Sequence, residues 1–209
     1  MILLAGLLAI AGLAAGVNAA CCQTDKAVGG LPNFGHVTGT LFRGGQPSAT
    51  GFSTLRAMGV EIVVNFRDEP AEITGEERLV KSLGMKYVGI PWNGHNKPSG
   101  AQIVQFLDLI RANPQAKIFV HCKLGADRTG VMVAAYRIAV EHKSAAEAVS
   151  EMRQFHYDWF WLPQLERYVN SFPGLLQKDP RFSAYASVPS PVAAETATLA
   201  PVYSPNVGP

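Results

Sequence analysis

KIFVHCKLGADRTGVMVAAYRIAVE, residues 117–141, is the stretch from which the rest of the chain can be read. Its first five residues, KIFVH, centre on β-branched and aromatic Ile118, Phe119 and Val120, the composition of a short strand buried on both faces. From Thr129 to about residue 141 the run reads as a helix. Between the two lies HCKLGADRTG, residues 121–130. A loop that ends a strand and opens a helix can turn successive backbone N–H groups inward as an anion-binding nest, and the helix adds the positive end of its dipole. Gly125 relieves the backbone where such a turn is tightest. The same field favours the thiolate of Cys122, the nucleophilic form of a cysteine. Arg128 offers a planar fork that can hold two phosphate oxygens at once. Lys123, Leu124, Gly125 and Ala126 would contribute the cradle, and Thr129 a hydroxyl to the sulfur.

Upstream of this stretch, strand-like and helix-like runs alternate. Residues 39–43, 61–66 and 86–90 read as strands, and residues 50–58, 73–83 and 100–111 as helices. Gly59 and Gly84 follow helical runs as left-handed caps do, and Asn113-Pro114 stops the third helix. Downstream, residues 144–155 and 163–172 read as helices, the first opened by a Ser144/Glu147 capping box. The alternation predicts an α/β fold with a central, mostly parallel sheet flanked by helices, occupying residues 31–172.

The flanks differ from this middle. Residues 1–20, MILLAGLLAIAGLAAGVNAA, are apolar, uncharged and close on small residues, which reads as a signal peptide or, since no Lys or Arg precedes the run, as a membrane anchor. A secreted or periplasmic location follows, or a membrane-anchored one. Lipidation at Cys21 is disfavoured by Asn18, which stands where a lipobox carries an aliphatic residue, and at Cys22 by Cys21, which takes the position usually held by Gly, Ala or Ser. Residues 180–209 are rich in Pro, Ala and Ser without periodicity and read as a disordered tail, so a chain cut at Lys178 is expected to keep its stability. With 18 basic and 16 acidic residues the net charge is +2, which lacks the broad basic footprint of a nucleic-acid binder. Three cysteines, two of them adjacent, define no disulfide framework and leave Cys122 as a free thiol.

Cysteine, five residues, arginine, then threonine resembles the signature loop of the protein tyrosine and dual-specificity phosphatase superfamily. LFRGGQPSATGFSTLRAMGVEIVVNFRDE, residues 41–69, is similar to the corresponding part of secreted bacterial dual-specificity-like phosphatases and of atypical plant and fungal members. The resemblance implies a tyrosine-phosphatase-like fold and hydrolysis of a phosphomonoester through a cysteinyl-phosphate at Cys122. It also implies that no metal or cofactor is needed and that His121 braces the loop. Substrates in view are phosphotyrosine or phosphoserine/threonine proteins, inositol phosphates and phosphoinositides. Oligomeric state is not legible.

One departure stands out. The family's proton donor is usually an Asp on a separate loop ahead of the cysteine, yet IPWNGHNKPSG, residues 90–100, holds no carboxylate. Asp127 is the first substitute, by resemblance to bacterial tyrosine and lipid phosphatases and myotubularins, where an Asp at this loop position is proposed as the acid. Its alternative is a helix cap or an ion pair. His95 is the second, in a loop that could fold over the site. Asp68, at a strand end, is the third, although Arg67 beside it suggests a structural ion pair. Asp108, inside a helix, reads as a solvated residue. Arg43 is expected to brace loops rather than contact phosphate. Trp92 and Lys97 are expected to shape the entrance, and the aromatic run FHYDWFWLP, residues 155–163, to belong to the core. Two rivals remain: a phosphate-binding pseudophosphatase without an efficient acid, and a rhodanese-like sulfurtransferase.

Overall fold

A computed structural model describes residues 29–186; the apolar N-terminal run and residues 187–209 lie outside the described residues. A five-stranded sheet runs in the order β1-β2-β5-β3-β4. Its strands are β1 (Gly35–His36), β2 (Leu41–Gly44), β3 (Val60–Asn65), β4 (Lys86–Gly89) and β5 (Lys117–His121). All neighbouring pairs are parallel except β1 with β2. The expected strands are present within a residue or two, and β1 is an addition. Two residues carry no periodicity, so β1 could not be read from the sequence.

Side chains alternate across the sheet as the period of two requires. Leu41, Ile62, Val64, Ile118 and Val120 join one buried cluster, while Phe42, Val63 and Phe119 join the other. The first cluster is covered by α3 (Gly100–Ala112), α4 (Asp127–Ala139), α5 (Ala145–Gln154) and α6 (Pro163–Lys178). The second is covered by α1 (Ala49–Ala57) and α2 (Pro70–Ser82). Helix α4 is buried from Arg128 to Ala139 on every side, which explains its near-continuous run of Val, Met and Ala. Ser99 and Ser144 each close a capping box, with Gln102 and Glu147 respectively. Gly59 and Gly84 take positive φ at helix ends, as expected.

Two boundaries move. Helix α6 continues through Pro173 to Lys178, because the stripe Leu165, Tyr168, Val169, Phe172 and Leu176 keeps facing the core beyond residue 172. Residues 180–186, expected to belong to the tail, are packed against the domain. Pro180–Phe182 form a 3-10 turn whose Phe182 is buried edge-to-face on Phe172, with ring centroids 5.3 Å apart. Tyr185 also packs there, its hydroxyl donating to Asp108 at 2.6 Å. A Pro/Ala/Ser composition hid this docking because it rests on two aromatic residues. A chain cut at Lys178 should therefore lose melting temperature, and Phe182→Ala should cost about 3–5 kcal/mol in denaturant unfolding, as buried Phe→Ala changes do.

The chain runs outward through β2, β3 and β4 and returns to place β5 between β2 and β3. The carboxyl ends of the strands around this reversal are where α/β sheets bind ligands. The loops leaving β2, β3, β4 and β5 and the segments before β1 and after α5 supply most of the residues described next, with Arg43 and His121 coming from β2 and β5 and Glu76 and Glu151 from α2 and α5.

Candidate active site

The loop after β5 is shaped from outside. The Cys122 carbonyl lies 3.2 Å from His121 Nδ1, and the Lys123 carbonyl accepts from the Gln46 N–H at 3.0 Å. The Leu124 carbonyl accepts from Asn33 Nδ2 at 3.1 Å, that of Gly125 from Arg43 Nη2 at 3.0 Å, and that of Ala126 from the Gly130 N–H at 2.8 Å. In a trans peptide the C=O and the next N–H point in opposite directions, and the described chain has no cis bond. Five carbonyls turned to outer partners therefore turn the intervening N–H groups the other way, toward the bowl above Cys122. Among the described residues, no backbone group accepts from those of Lys123 to Ala126.

Gly125 makes the bowl possible. Its φ is +72°, and a Cβ there would lie 2.4 Å from the carbonyl carbon of Gly44. Only glycine allows the loop to rest on the Gly44-Gly45 backbone this closely.

Beneath the bowl lies a buried polar network. His121 is fully buried, and its Nε2 stands 2.8 Å from Glu76 Oε1. The imidazole thus links the loop carbonyl of Cys122 to a carboxylate oxygen of Glu76. Gln46 Nε2 donates to the other oxygen of Glu76 at 2.7 Å, while Gln46 Oε1 accepts from Arg67 Nη1 at 2.6 Å. Arg43, also fully buried, stacks its guanidinium 3.8 Å from the Phe155 ring centroid and lies 3.7 Å from Glu151. These contacts direct it at Gly125 and at the segment after α5.

Above the bowl opens a pocket of about 350 Å³ lined by Cys122, Lys123, Leu124, Asp127, Arg128, Asp68, Glu69, Asn93, Gly94, His95 and Leu162. Cys122 is a free, buried thiol at its floor. Arg128 Nη1 donates to Asp68 Oδ1 at 2.7 Å and to the Trp92 carbonyl at 3.3 Å, and Nη2 lies 3.8 Å from Glu69 Oε1. Asp68 thus pairs with Arg128 rather than with adjacent Arg67, which turns instead to Glu69 at 3.2 Å and to Gln46. Side chains at successive positions after a strand point to opposite sides, so sequence adjacency was the wrong guide. Burial works to raise the Glu69 carboxyl, but the Arg67 hydrogen bond and the charges of Arg67 and Arg128 outweigh it and hold the group below its usual range.

Asp127 is the first residue of α4 and does not hold the N-cap position, which is Ala126. Instead its Oδ1 accepts the Asp158 N–H at 3.0 Å, tying the loop start to the segment after α5. Burial pushes the Asp127 carboxyl up, the Asp158 charge adds to this, and the Asp158 N–H and Arg128 only partly offset it. The pocket therefore holds a carboxyl that keeps its proton longer than an ordinary aspartate, the property a general acid needs.

Three expected placements change. The Thr129 hydroxyl is buried and makes no hydrogen bond among the described residues, to the Cys122 sulfur included. Trp92 does not shape the entrance: its ring packs in the core, and only its carbonyl reaches the site. The aromatic run divides, with Phe155 and Tyr157 buried but Trp159, Phe160 and Trp161 exposed. His95 is exposed on the pocket rim, and Asp108 is far from it in sequence and partners, paired with Arg111. Asn33, Gln46, Glu76, Glu151 and Asp158 escaped the sequence reading, because isolated polar residues signal nothing until the fold brings them to one loop.

A phosphatase family model, described as "DSP-PTPase phosphatase fused to NAD+ Kinase", matches residues 33–165, a span that contains every residue lining the pocket. The chain belongs to this phosphatase family. Dual specificity protein phosphatase 26 of Rattus norvegicus is 29% identical over 119 residues, 54% of this chain and 54% of that protein. Dual specificity protein phosphatase TpbA of Pseudomonas aeruginosa is 29% identical over 124 residues, 58% of this chain and 54% of that protein. The chain spans about half the length of these curated relatives. Among solved structures, a cysteine-to-serine variant of P. aeruginosa TpbA in complex with pTyr superposes with a TM-score of 0.63 at 22% identity, covering 78% of this chain and 96% of that one. The core catalytic domain of the PP-IP phosphatase SIW14 from S. cerevisiae, in complex with citrate, gives 0.61 at 19% identity, covering 83% and 98%. At such identities the likeness is one of fold, and it establishes the tyrosine-phosphatase-like architecture expected from the sequence.

Proposed function

We propose that the protein is a cysteine-dependent phosphatase acting on phosphomonoesters, with Cys122 as nucleophile, Arg128 as phosphate clamp and Asp127 as proton donor. The observation that carries this is the loop whose carbonyls from Cys122 to Ala126 are tied outward, which turns its N–H groups toward the pocket that Cys122 and Arg128 both line. Family membership supports it.

The thiolate attacks phosphorus, forming the S–P bond as the P–O bond to the leaving group breaks. The N–H groups and the Arg128 fork stabilise the equatorial oxygens. Asp127 gives its proton to the departing oxygen. Water then attacks the cysteinyl-phosphate, Asp127 takes a proton from that water, and the S–P bond breaks to release phosphate. Asp68 and Glu69 hold one side of Arg128 and so fix the plane of its fork. His121 and Arg43 act through the loop they brace. The apolar run at residues 1–20 supports a location outside the cytoplasm or at its membrane.

The test is phosphate release by the full chain, under reducing conditions, from phosphotyrosine, phosphoserine and phosphothreonine peptides, inositol phosphates and phosphoinositides, with sulfur transfer from thiosulfate measured alongside. Release from at least one phosphomonoester without sulfur transfer is expected. Sulfur transfer alone would make it a sulfurtransferase, and no turnover at all would make it a phosphate-binding pseudophosphatase.

A further inference from the structure

The most exposed large apolar side chains of the described residues stand together beside the pocket. Trp159, Phe160 and Trp161 are 59%, 67% and 75% exposed, and Leu124 on the active-site loop is 63% exposed. The three rings meet edge to face, with centroids 6.1 and 5.2 Å apart. Their exposure does not come from a frayed segment. The Tyr157 hydroxyl donates to the Leu162 carbonyl and accepts the Glu166 N–H. Asp158 accepts the Trp161 N–H at 3.0 Å through its side chain and the Leu162 N–H at 3.0 Å through its carbonyl. The segment is anchored to the site on both sides. Asp158 binds Asp127, Asn33 bridges the carbonyls of Leu124 and Phe155, and Gln164 donates to the His95 carbonyl at 2.8 Å.

We propose that this aromatic knob inserts into the interface of an anionic phospholipid bilayer and so presents the pocket to a phosphomonoester carried on a lipid headgroup. The proposal rests on the phosphatase reading above and specifies its substrate class. Rings this exposed protrude into solvent rather than line a groove, which suits a lipid interface better than a peptide, and Trp and Phe are the side chains that favour such an interface. Charge agrees. Exposed Lys123 lines the pocket, and exposed Lys97 and Arg167 line a neighbouring one that shares His95 with it; none of the three forms an ion pair among the described residues, and Lys97 lies over the Tyr168 ring. The carboxylates there are each engaged: Asp68 with Arg128, Glu69 with Arg67, Glu166 with Arg153, and Asp127 and Asp158 with backbone N–H groups. Cations free of ion pairs on the same side as an apolar knob anchored to the pocket are complementary to a negatively charged membrane surface.

The test uses the full chain with vesicles of phosphatidylcholine and phosphatidylglycerol containing brominated phosphatidylcholine as a quencher within the bilayer. Trp92, the third tryptophan, is buried in the core, so quenching reports on Trp159 and Trp161 even if the N-terminal run also holds the chain to the vesicle. A blue shift and quenching of most of the emission are expected, weakened by high salt as the charged part is screened. The triple variant Trp159→Ser/Phe160→Ser/Trp161→Ser should hydrolyse phosphatidylinositol phosphate in these vesicles at least about tenfold more slowly, while its rate on a soluble aryl phosphate is unchanged. Vesicle-bound chain with unquenched tryptophans overturns the proposal. So does a variant that keeps its vesicle rate but loses phosphopeptide hydrolysis, which would assign the knob to a peptide. Quenching without hydrolysis of any phosphomonoester leaves the docking intact and removes the phosphatase reading instead.

Discussion

Replacing Cys122 with serine is expected to lower phosphate release by roughly 10⁵–10⁶-fold, the scale on which loss of an enzymatic nucleophile falls. A serine hydroxyl, unlike a thiol, is not ionised near neutral pH even at the start of a helix, so the variant lacks the anionic nucleophile. Binding should survive. The carbonyl contacts that turn the loop's N–H groups inward come from Asn33, Arg43, Gln46 and Gly130 as well as His121, and none involves the sulfur. Titration with vanadate or a slow phosphate ester should therefore give a dissociation constant within a few-fold of the wild type, about 1 kcal/mol at most. Residual turnover near the wild-type rate would remove the covalent mechanism.

The second large effect concerns the acid. Asp127→Asn keeps the shape and can still accept the Asp158 N–H, but it cannot donate a proton as an acid does. For an alkyl phosphate, whose leaving oxygen needs that proton, the loss should be about a hundred- to ten-thousandfold. An aryl phosphate with strongly electron-withdrawing groups leaves unaided and should lose far less. The pH profile gives an independent sign. Burial raises the Asp127 carboxyl, so the active, protonated form persists above the range of an ordinary aspartate and is lost as pH rises through the raised value. The wild-type rate should fall along that basic limb, and the Asn variant should lack the fall. Equal losses on both leaving groups would make Asp127 a structural tie. The leaving-group dependence appearing in His95→Ala or Asp68→Asn would move the acid there. The engagement of Asp68 with Arg128 argues for orientation of the guanidinium rather than proton transfer.

What the sequence revealed and what it hid follow one physical division. The strand-loop-helix at residues 117–141 was legible because its chemistry is local: β-branched run, glycine, arginine and helix succeed one another within a single segment. The alternation of elements was legible for the same reason, and Arg43 could be assigned a bracing role from its place between a strand and two glycines. The residues that hold the loop open were not. Asn33, Gln46 and Glu76 come from three separate segments, and each is an ordinary polar residue until parallel pairing of β2 and β3 with β5 brings it to one strand end. The partner of Asp68 was misjudged because Arg67 is near in sequence and Arg128 is near in space. Phe182 and the exposed rings of residues 159–161 show the complementary limit. Composition says how apolar a segment is, whereas whether it is covered depends on what the fold sets beside it.

The covalent step at Cys122 is tested most directly by mixing the full chain with a fast aryl phosphate, quenching with acid during turnover, and locating covalent phosphate by peptide mass spectrometry. The Asp127→Asn variant, slowed in the second step where Asp127 takes a proton from water, should accumulate the adduct to a greater extent than the wild type. Phosphate on the sulfur of Cys122, absent from Cys122→Ser, is the expected result. Turnover with no adduct in either chain, or with phosphate on another residue, would contradict it.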